Sequence, residues 1–213
     1  MRIVFIELVD VLRCPNRHAE TWLVLASEQM EERDIRSGTL GCPICKAEFP
    51  IVNGVARFGD APRAGARGEP PDENEALRLA ALLDLTDSRG YAILIGDTGR
   101  HAPLLCTMTD VQLMLVNPPP MVAMGMGISG LTADTSGALP LAPASARAVA
   151  LDEHATPELL SSALGVLAPG GRLLVPVRLA LPDGVTELAR DDRHWLAERP
   201  SASSGIIGLS RRR

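Results

Sequence analysis

Aromatic side chains are scarce in this chain of 213 residues, where three Phe, two Trp and one Tyr make up 3% of the sequence. A core with so few rings has to be built from Leu, Val, Ile, Ala and Met. Basic residues are also few, because 21 Lys and Arg stand against 26 Asp and Glu, for a formal net charge of -5. This balance excludes broad nucleic-acid binding through a basic surface. The rest of the composition, 46% hydrophobic and 22% charged, is typical of a folded soluble protein.

Signals for secretion or membrane insertion are weak. Glu7 and Asp10 interrupt the first apolar run, which argues against a secretory leader. Residues 111–133 carry no charge and have about the length of a membrane span, but the three prolines at 118–120 cannot continue a helix. We therefore expect a cytoplasmic protein, either free or attached to the cytoplasmic face of a membrane complex. Its four cysteines are then expected to be ligands or buried thiols rather than disulfides.

A segment rich in Gly, Pro and Ala, GDAPRAGARGEPP at residues 59–71, is typical of a linker. Residues 1–58 before it hold three of the four cysteines. Residues 72–213 after it alternate between helical and strand-like patterns, which predicts a mostly parallel sheet. The predicted helices cover 73–85 and 101–108, with a third from Pro157 to the turn at 169–171. The predicted strands cover 91–95, 111–116, 128–133, 146–151 and 172–177, with two shorter ones near 194–198 and 205–209.

Cysteine and histidine recur with the spacing of metal ligands in the first segment. Cys14-Pro-Asn-Arg-His18 and Cys42-Pro-Ile-Cys45 together offer three thiolates and one imidazole, an accepted set for structural zinc. A closed site with four protein ligands leaves no position for a reactive water, so we assign it to folding a small segment rather than to catalysis. The alternative is that these side chains simply pack without metal. Cys106, in an apolar context beyond the linker, is expected to be a buried thiol.

Three motifs of the first segment resemble one small protein family. They are Leu8-Val-Asp-Val-Leu-Arg-Cys-Pro, Cys42-Pro-Ile-Cys45 and Phe49-Pro-Ile-Val-Asn-Gly-Val. Over about residues 6–57 the pattern looks like the zinc-ribbon protein that activates tRNA, ribosomal-RNA and release-factor methyltransferases. The resemblance implies a partner-binding module that contacts a methyltransferase by strand pairing and apolar contact. His18 and the long spacer to Cys42 depart from the family pattern.

The second segment resembles a class I S-adenosylmethionine-dependent methyltransferase. The strongest match is Leu164-Gly-Val-Leu-Ala-Pro-Gly-Gly-Arg-Leu-Leu-Val175. Further matches are Asp134, Leu139-Pro140-Leu141 and Ala148-Val149-Ala150. The resemblance implies a Rossmann-like fold whose cofactor loop follows the first strand, at Gly96-Asp97-Thr98-Gly99. The predicted fold is therefore α/β. It combines a small zinc-ribbon-like, β-rich domain over 1–58, the linker, and a Rossmann-like, mostly parallel sheet domain over 72–213.

Acidic groups that the methyltransferase family uses are missing here. Leu94 or Ile95 stands where the first strand carries an acid, and Asn117 stands where an acid accepts both ribose hydroxyls. The loop is also about one glycine short. Losing two charged hydrogen bonds costs about 1.5–3 kcal/mol each, or roughly two or more decades in affinity. S-adenosylmethionine is therefore not expected as a cofactor. If it bound, the residues contacting it would be Gly96, Asp97, Gly99, Asn117 and Asp134, with Asp97 replacing one lost acid.

These observations favour a non-catalytic structural or assembly subunit of a larger protein complex, built on a pseudo-methyltransferase scaffold. The alternative is a minimal S-adenosylmethionine-dependent methyltransferase with its activating zinc ribbon fused in cis. A third hypothesis is a sensor that kept the pocket but lost the chemistry. We assign no catalytic residue, because the histidines form no constellation with a nucleophile or a paired carboxylate. Met121, Met124 and Met126 are candidates either for a partner surface or for the core.

Overall fold

A computed structural model describes residues 4–59, 70–86, 90–120, 122 and 127–201, with backbone alone for Val4 and Phe5. The predicted linker at 59–71 falls almost wholly outside these residues. So do the three methionines at 121, 124 and 126 and the predicted strand near 205–209. No helix in the described part of the chain is long and apolar enough to cross a membrane.

Antiparallel strands make up the first segment. They are β1 (Val4–Phe5), β2 (Val24–Glu31), β3 (Asp34–Gly41), β4 (Glu48–Val52) and β5 (Val55–Phe58), with a 3-10 helix over Ile6–Val11. The hairpin between β4 and β5 turns at Asn53 and Gly54, whose φ angles of 51° and 66° suit the two-residue turn that Asn-Gly favours. The predicted β-rich character of this segment is confirmed.

The second segment contains the helices α1 (Glu73–Leu82), α2 (Ala102–Met108) and α3 (Pro157–Val166). Its strands are β6 (Tyr91–Ile95), β7 (Gln112–Val116), β8 (Ile128–Ala133), β9 (Ala146–Ala150), β10 (Leu167–Pro176), β11 (Thr186–Arg190) and β12 (His194–Glu198). Every predicted helix and strand inside the described residues is present, with ends that differ by a few residues. Strand β11 is an addition that no pattern indicated, because all five of its residues are exposed.

One sheet of twelve strands runs through the described residues, in the order β1-β3-β4-β5-β8-β7-β6-β9-β10-β12-β11, with β2 beside β3. Strands β8, β7, β6, β9 and β10 are parallel neighbours, and β12 joins β10 antiparallel. Numbered along the chain, the parallel strands lie in the order 3-2-1-4-5 of a doubly wound fold. The predicted Rossmann-like, mostly parallel sheet is confirmed for this segment. The order reverses between β6 and β9, where such sheets bind ligands at the carboxyl ends of their strands.

The two segments share this sheet. Strand β5 pairs in parallel with β8, from Val55 opposite Gly130 to Phe58 opposite Ala133. A second contact lies just before Cys14, where the amide of Arg13 donates to the carbonyl of Pro140 over 2.9 Å. Strand β5 of the first segment is therefore paired within the chain.

Candidate functional site

Four side chains that the sequence predicts as metal ligands meet in one place. The ligand atoms of Cys14, His18, Cys42 and Cys45 all lie within 4.8 Å of one another. His18 Nε2 is 3.2 Å from Cys14 Sγ and 3.4 Å from Cys42 Sγ, and the Sγ atoms of Cys14 and Cys45 are 3.7 Å apart. Tetrahedral zinc, with bonds of about 2.3 Å to sulfur and 2.0 Å to nitrogen, requires about 3.8 Å between sulfurs and 3.5 Å between sulfur and nitrogen. The cluster could therefore hold a metal ion.

Local backbone structure forms the second ligand pair. Cys42 directly follows β3, and its carbonyl accepts the amide of Lys46 over 3.0 Å. Lys46 adopts a φ of 61°, which turns the chain back on itself. The amide of Cys45 then points at the Sγ of Cys42 over 3.5 Å. Such amide contacts stabilise a thiolate, which is the form that binds metal.

His18 presents the correct nitrogen to the cluster. Its Nδ1 lies 2.6 Å from the carbonyl oxygen of Ala19, so Nδ1 carries the proton and donates. This leaves the lone pair of Nε2 for the cluster, in the way that most metal-binding histidines are oriented by a second partner. The bond to Ala19 also raises the pKa of His18.

The pKa values of the Cys14 and Cys45 thiols are shifted in opposite directions. Burial, with further contributions from the neighbouring thiols, raises the pKa of Cys14 to about 12. The Asn16 side-chain amide, 3.3 Å from the sulfur, and then the amide of Ala47 lower the pKa of Cys45 to about 6. Three thiolates packed together repel one another unless a cation lies between them. Asn16, which lies between Cys14 and His18 in the sequence, is a contact of the cluster that the sequence reasoning missed.

Cys106 lies outside this cluster. It is a residue of α2, is partly buried and packs against an apolar cluster that includes Leu105, Leu113 and Ile128. Burial raises its pKa to about 11. It is a packed thiol, as the sequence indicates.

The glycine loop after β6 is folded tightly against the ends of the neighbouring strands. It forms a 3-10 helix over Gly96–His101, and Gly96 has a φ of 63° that favours glycine. The Thr98 hydroxyl donates to the carbonyl of Ile95 over 2.9 Å. A Cβ on Gly99 would lie 3.5 Å from the Cβ of Pro118. Gly96 therefore allows a backbone turn that other residues rarely adopt, whereas a Cβ at position 99 would make only ordinary van der Waals contacts.

Asp97 is engaged by a cation of its own loop. Its carboxylate pairs with the guanidinium of Arg100, and Arg100 Nε donates to His101 Nε2 over 3.0 Å. His101 is buried, and burial, followed by the nearby Arg100 charge, lowers its pKa. The carboxylate proposed as a replacement for a lost acid is thus part of an internal ion pair.

Asn117 uses its whole side chain inside the sheet. Its Nδ2 donates to the carbonyl of Ala133 over 2.8 Å, and the amide of Ala133 donates to its Oδ1 over 3.0 Å. These two bonds extend the pairing of β7 and β8 beyond Val116. Asp134, the next residue, is exposed and accepts the amide of Ser136 over 2.9 Å, which lowers its pKa.

Asp152, which the sequence reasoning missed, lies against the loop that follows β6. It follows β9 at the point where the strand order reverses, and it is 9% exposed. Its Oδ2 accepts the amide of Asp97 and its Oδ1 accepts the amide of His154, each over 3.0 Å. The structure therefore joins Gly96 and Asp97 to Asp152, while Asn117 follows β7 and Asp134 follows β8, the strand to which Asn117 bonds. An acid directly after an apolar strand was the available signal.

A cavity of about 230 Å³ lies at the other edge of the sheet, near the amino ends of β9 and β10. Arg147 and Arg172 line it, and both donate to carbonyls at the end of α1, those of Asp84 and Leu82. These arginines complete the hydrogen bonding of the helix end. The guanidinium groups of both arginines therefore make hydrogen bonds that stabilise the end of α1.

No protein-family profile matches the chain, and no curated protein is similar to it. Solved structures resemble it at the level of overall shape. A candidate S-adenosyl-L-methionine-dependent methyltransferase from Methanococcus maripaludis is 9% identical with a TM-score of 0.44, over 63% of this chain and 87% of that one. An antibiotic-resistance methyltransferase is 16% identical with a TM-score of 0.41, over 68% and 98%.

A third similar structure is phosphoethanolamine N-methyltransferase 2 from Haemonchus contortus, in complex with phosphomonomethylethanolamine and S-adenosylhomocysteine. It is 18% identical with a TM-score of 0.43, over 56% of this chain, which spans only 33% of that enzyme. Likeness at this level concerns the fold alone. The fold assignment rests on the strand order of the chain itself.

Proposed function

We propose that this protein is a non-catalytic structural or assembly subunit of a larger protein complex, built on a methyltransferase-like scaffold. One observation carries the proposal: Asn117, at the position where a cofactor's ribose would be held, bonds through both amide atoms to Ala133. The oxygen that would accept a ribose hydroxyl already accepts a backbone amide. Turning this side chain toward a ligand would leave two buried backbone groups without partners, which costs free energy.

The strand before the loop supports the same conclusion. Leu94 and Ile95 are both buried, at 0% and 2% exposure, so neither position offers a polar group to a ligand. The Asp97 carboxylate is paired with Arg100. A methyl donor with a charged amino-acid end would therefore meet few free polar groups among the residues at this loop.

Zinc is the metal that we propose for the N-terminal cluster. Three cysteines and one histidine with tetrahedral spacing are a donor set for structural zinc, and four protein ligands leave no open coordination position. In this role the metal stabilises the segment that carries β5, and β5 extends the methyltransferase-like sheet. The cluster residues bind metal, and none of them is assigned a step in a reaction.

Calorimetric titration of the purified protein with S-adenosylmethionine and S-adenosylhomocysteine tests the proposal. We expect no binding in the low-micromolar range that methyltransferases use. The same preparation should contain close to one zinc per chain by elemental analysis. A circular-dichroism spectrum should show that the protein is folded, so that a lack of binding does not reflect unfolding. Low-micromolar binding would overturn the proposed subunit role and leave a minimal methyltransferase with a fused zinc ribbon, or a sensor, as the explanation. A zinc content near zero would remove the metal alone.

A further inference from the structure

The carboxylate of Asp152 fills the space next to the glycine loop. A Cβ placed on Gly96 would lie 1.9 Å from Asp152 Oδ2 and 2.6 Å from its Cγ. Nonbonded atoms do not approach so closely, so no residue larger than glycine fits at position 96 while Asp152 keeps its place. The space that a side chain at position 96 would need is therefore occupied by the Asp152 carboxylate.

Backbone amides on two sides hold this carboxylate in place. One oxygen accepts the amide of Asp97, and the other accepts the amide of His154, both over 3.0 Å. Asp152 is one of three buried polar or charged residues in the part of the chain that the structure describes. A buried carboxyl group with a hydrogen bond to each oxygen is held in one position by the fold.

The place that Asp152 fills is the one where a doubly wound sheet binds its ligand. Gly96 follows β6 and Asp152 follows β9, and these strands are parallel neighbours. The strand order reverses between them, and nucleotide ligands of such sheets lie in the crevice outside their carboxyl ends. A glycine at the start of the loop is what lets a ligand approach the backbone closely.

We propose that Asp152 closes this crevice to nucleoside ligands, as an inhibitory contact built into the fold. The inference rests on the proposed function and goes beyond it, because it names the side chain responsible. The Asp152 carboxylate excludes a ligand by its volume beside Gly96 and by its bond to the Asp97 amide. Truncating it frees that volume and that amide together.

A double-mutant cycle tests the contact. Gly96→Ala in the natural chain should lower the folding equilibrium constant far more than Gly96→Ala in an Asp152→Ala background, where the added methyl meets no carboxylate. We expect the two effects to differ by at least about tenfold, measured by urea unfolding. Equal effects in both backgrounds would overturn the steric contact. Asp152→Ser replaces Asp152→Ala if the alanine variant does not fold.

Titration of three variants with S-adenosylhomocysteine tests the closure. Asp152→Ala should bind measurably, about tenfold or more tighter than the natural chain, whereas Asp152→Asn, which keeps the volume, should not. Asp191→Ala is the matched control, because Asp191 also accepts backbone amides but is exposed, does not touch Gly96 and belongs to no candidate cofactor site. No gain in Asp152→Ala would overturn the closure and leave the proposed function intact. Binding by the natural chain would overturn the proposed function and the closure together.

Discussion

Removal of one metal ligand, by Cys42→Ser, is expected to weaken the whole fold rather than the N-terminal segment alone. Cys42 is 2% exposed and lies in the same hydrophobic cluster as Ile93 and Val149 of the parallel sheet. Strand β5 carries the pairing from this segment into β8. Loss of one ligand is therefore expected to destabilise the hydrophobic cluster that both segments share.

The size of the effect follows from the metal and the chain length. Structural zinc contributes about 10–16 kcal/mol to the folding of small zinc-finger peptides. If a third of the lower value reaches the shared core, the fold loses about 3 kcal/mol out of a typical 5–15 kcal/mol. In a chain of this size 1 kcal/mol shifts the thermal midpoint by about 2–4 °C. We therefore expect the midpoint to fall by about 6–12 °C.

The two tryptophans separate the segments in the assay. Trp22 is 65% exposed beside the cluster, whereas Trp195 is fully buried in β12, with its Nε1 donating to the Leu179 carbonyl over 2.8 Å. In a Trp22→Phe background, fluorescence reports unfolding of the parallel sheet alone. Cys42→Ser, or a metal chelator, should lower the Trp195 transition, and calorimetry should show a single transition.

Cys106→Ser is the matched control, since it removes a thiol that lies outside the cluster. It should change neither the metal content nor the shift that the chelator causes. If the Trp195 transition stays in place when the metal is gone, the two segments unfold independently and the reasoning from a shared core fails.

Three further results are expected. Acid should lower the free energy of unfolding below pH 6.5, because burial lowers the pKa of His101 and His194 in the folded chain below their ordinary 6.5. As the pH falls, the unfolded chain therefore takes up protons before the folded chain does. Unfolding titrations that show the same stability from pH 7 to 5 would contradict this. Asn117→Asp should lower the unfolding free energy by about 1–3 kcal/mol, because it sets a carboxylate against the Ala133 carbonyl; an unchanged urea midpoint would speak against the paired amide. A protease site inserted within residues 60–69 should yield two fragments that still co-elute, because β5 pairs with β8; separate elution would refute the shared sheet.

Local patterns predicted the helices and strands, and the cysteine pair of the cluster, because their causes lie within a few residues. Asp72 and Glu75 have capping spacing, and the Asp72 carboxylate does accept the Glu75 amide over 2.8 Å at the start of α1. Cys42 and Cys45 share one turn of chain, so their meeting needs little from the rest of the fold. The strands of the parallel sheet are short apolar runs between turn residues, which makes them visible in sequence.

Contacts across the chain could not be predicted in this way. Strand β11 was not predicted, because an exposed edge strand needs no alternation of apolar and polar residues. The bonds of Asn117 span 16 residues and the contact between Asp97 and Asp152 spans 55. Whether an amide faces a ligand or a neighbouring strand depends on strand register, which no local pattern encodes.

By itself the sequence determined the α/β alternation, the set of cysteine and histidine residues that could hold a metal ion, and the absence of acids at two positions where the methyltransferase resemblance expects them. Only the tertiary structure decided that β5 joins the parallel sheet, that Asn117 bonds to Ala133 and that Asp152 fills the space beside Gly96. These depend on which strands become neighbours. That choice is made by burying the two apolar clusters to which alternate residues of β6 belong, a property of the whole chain rather than of any segment of it.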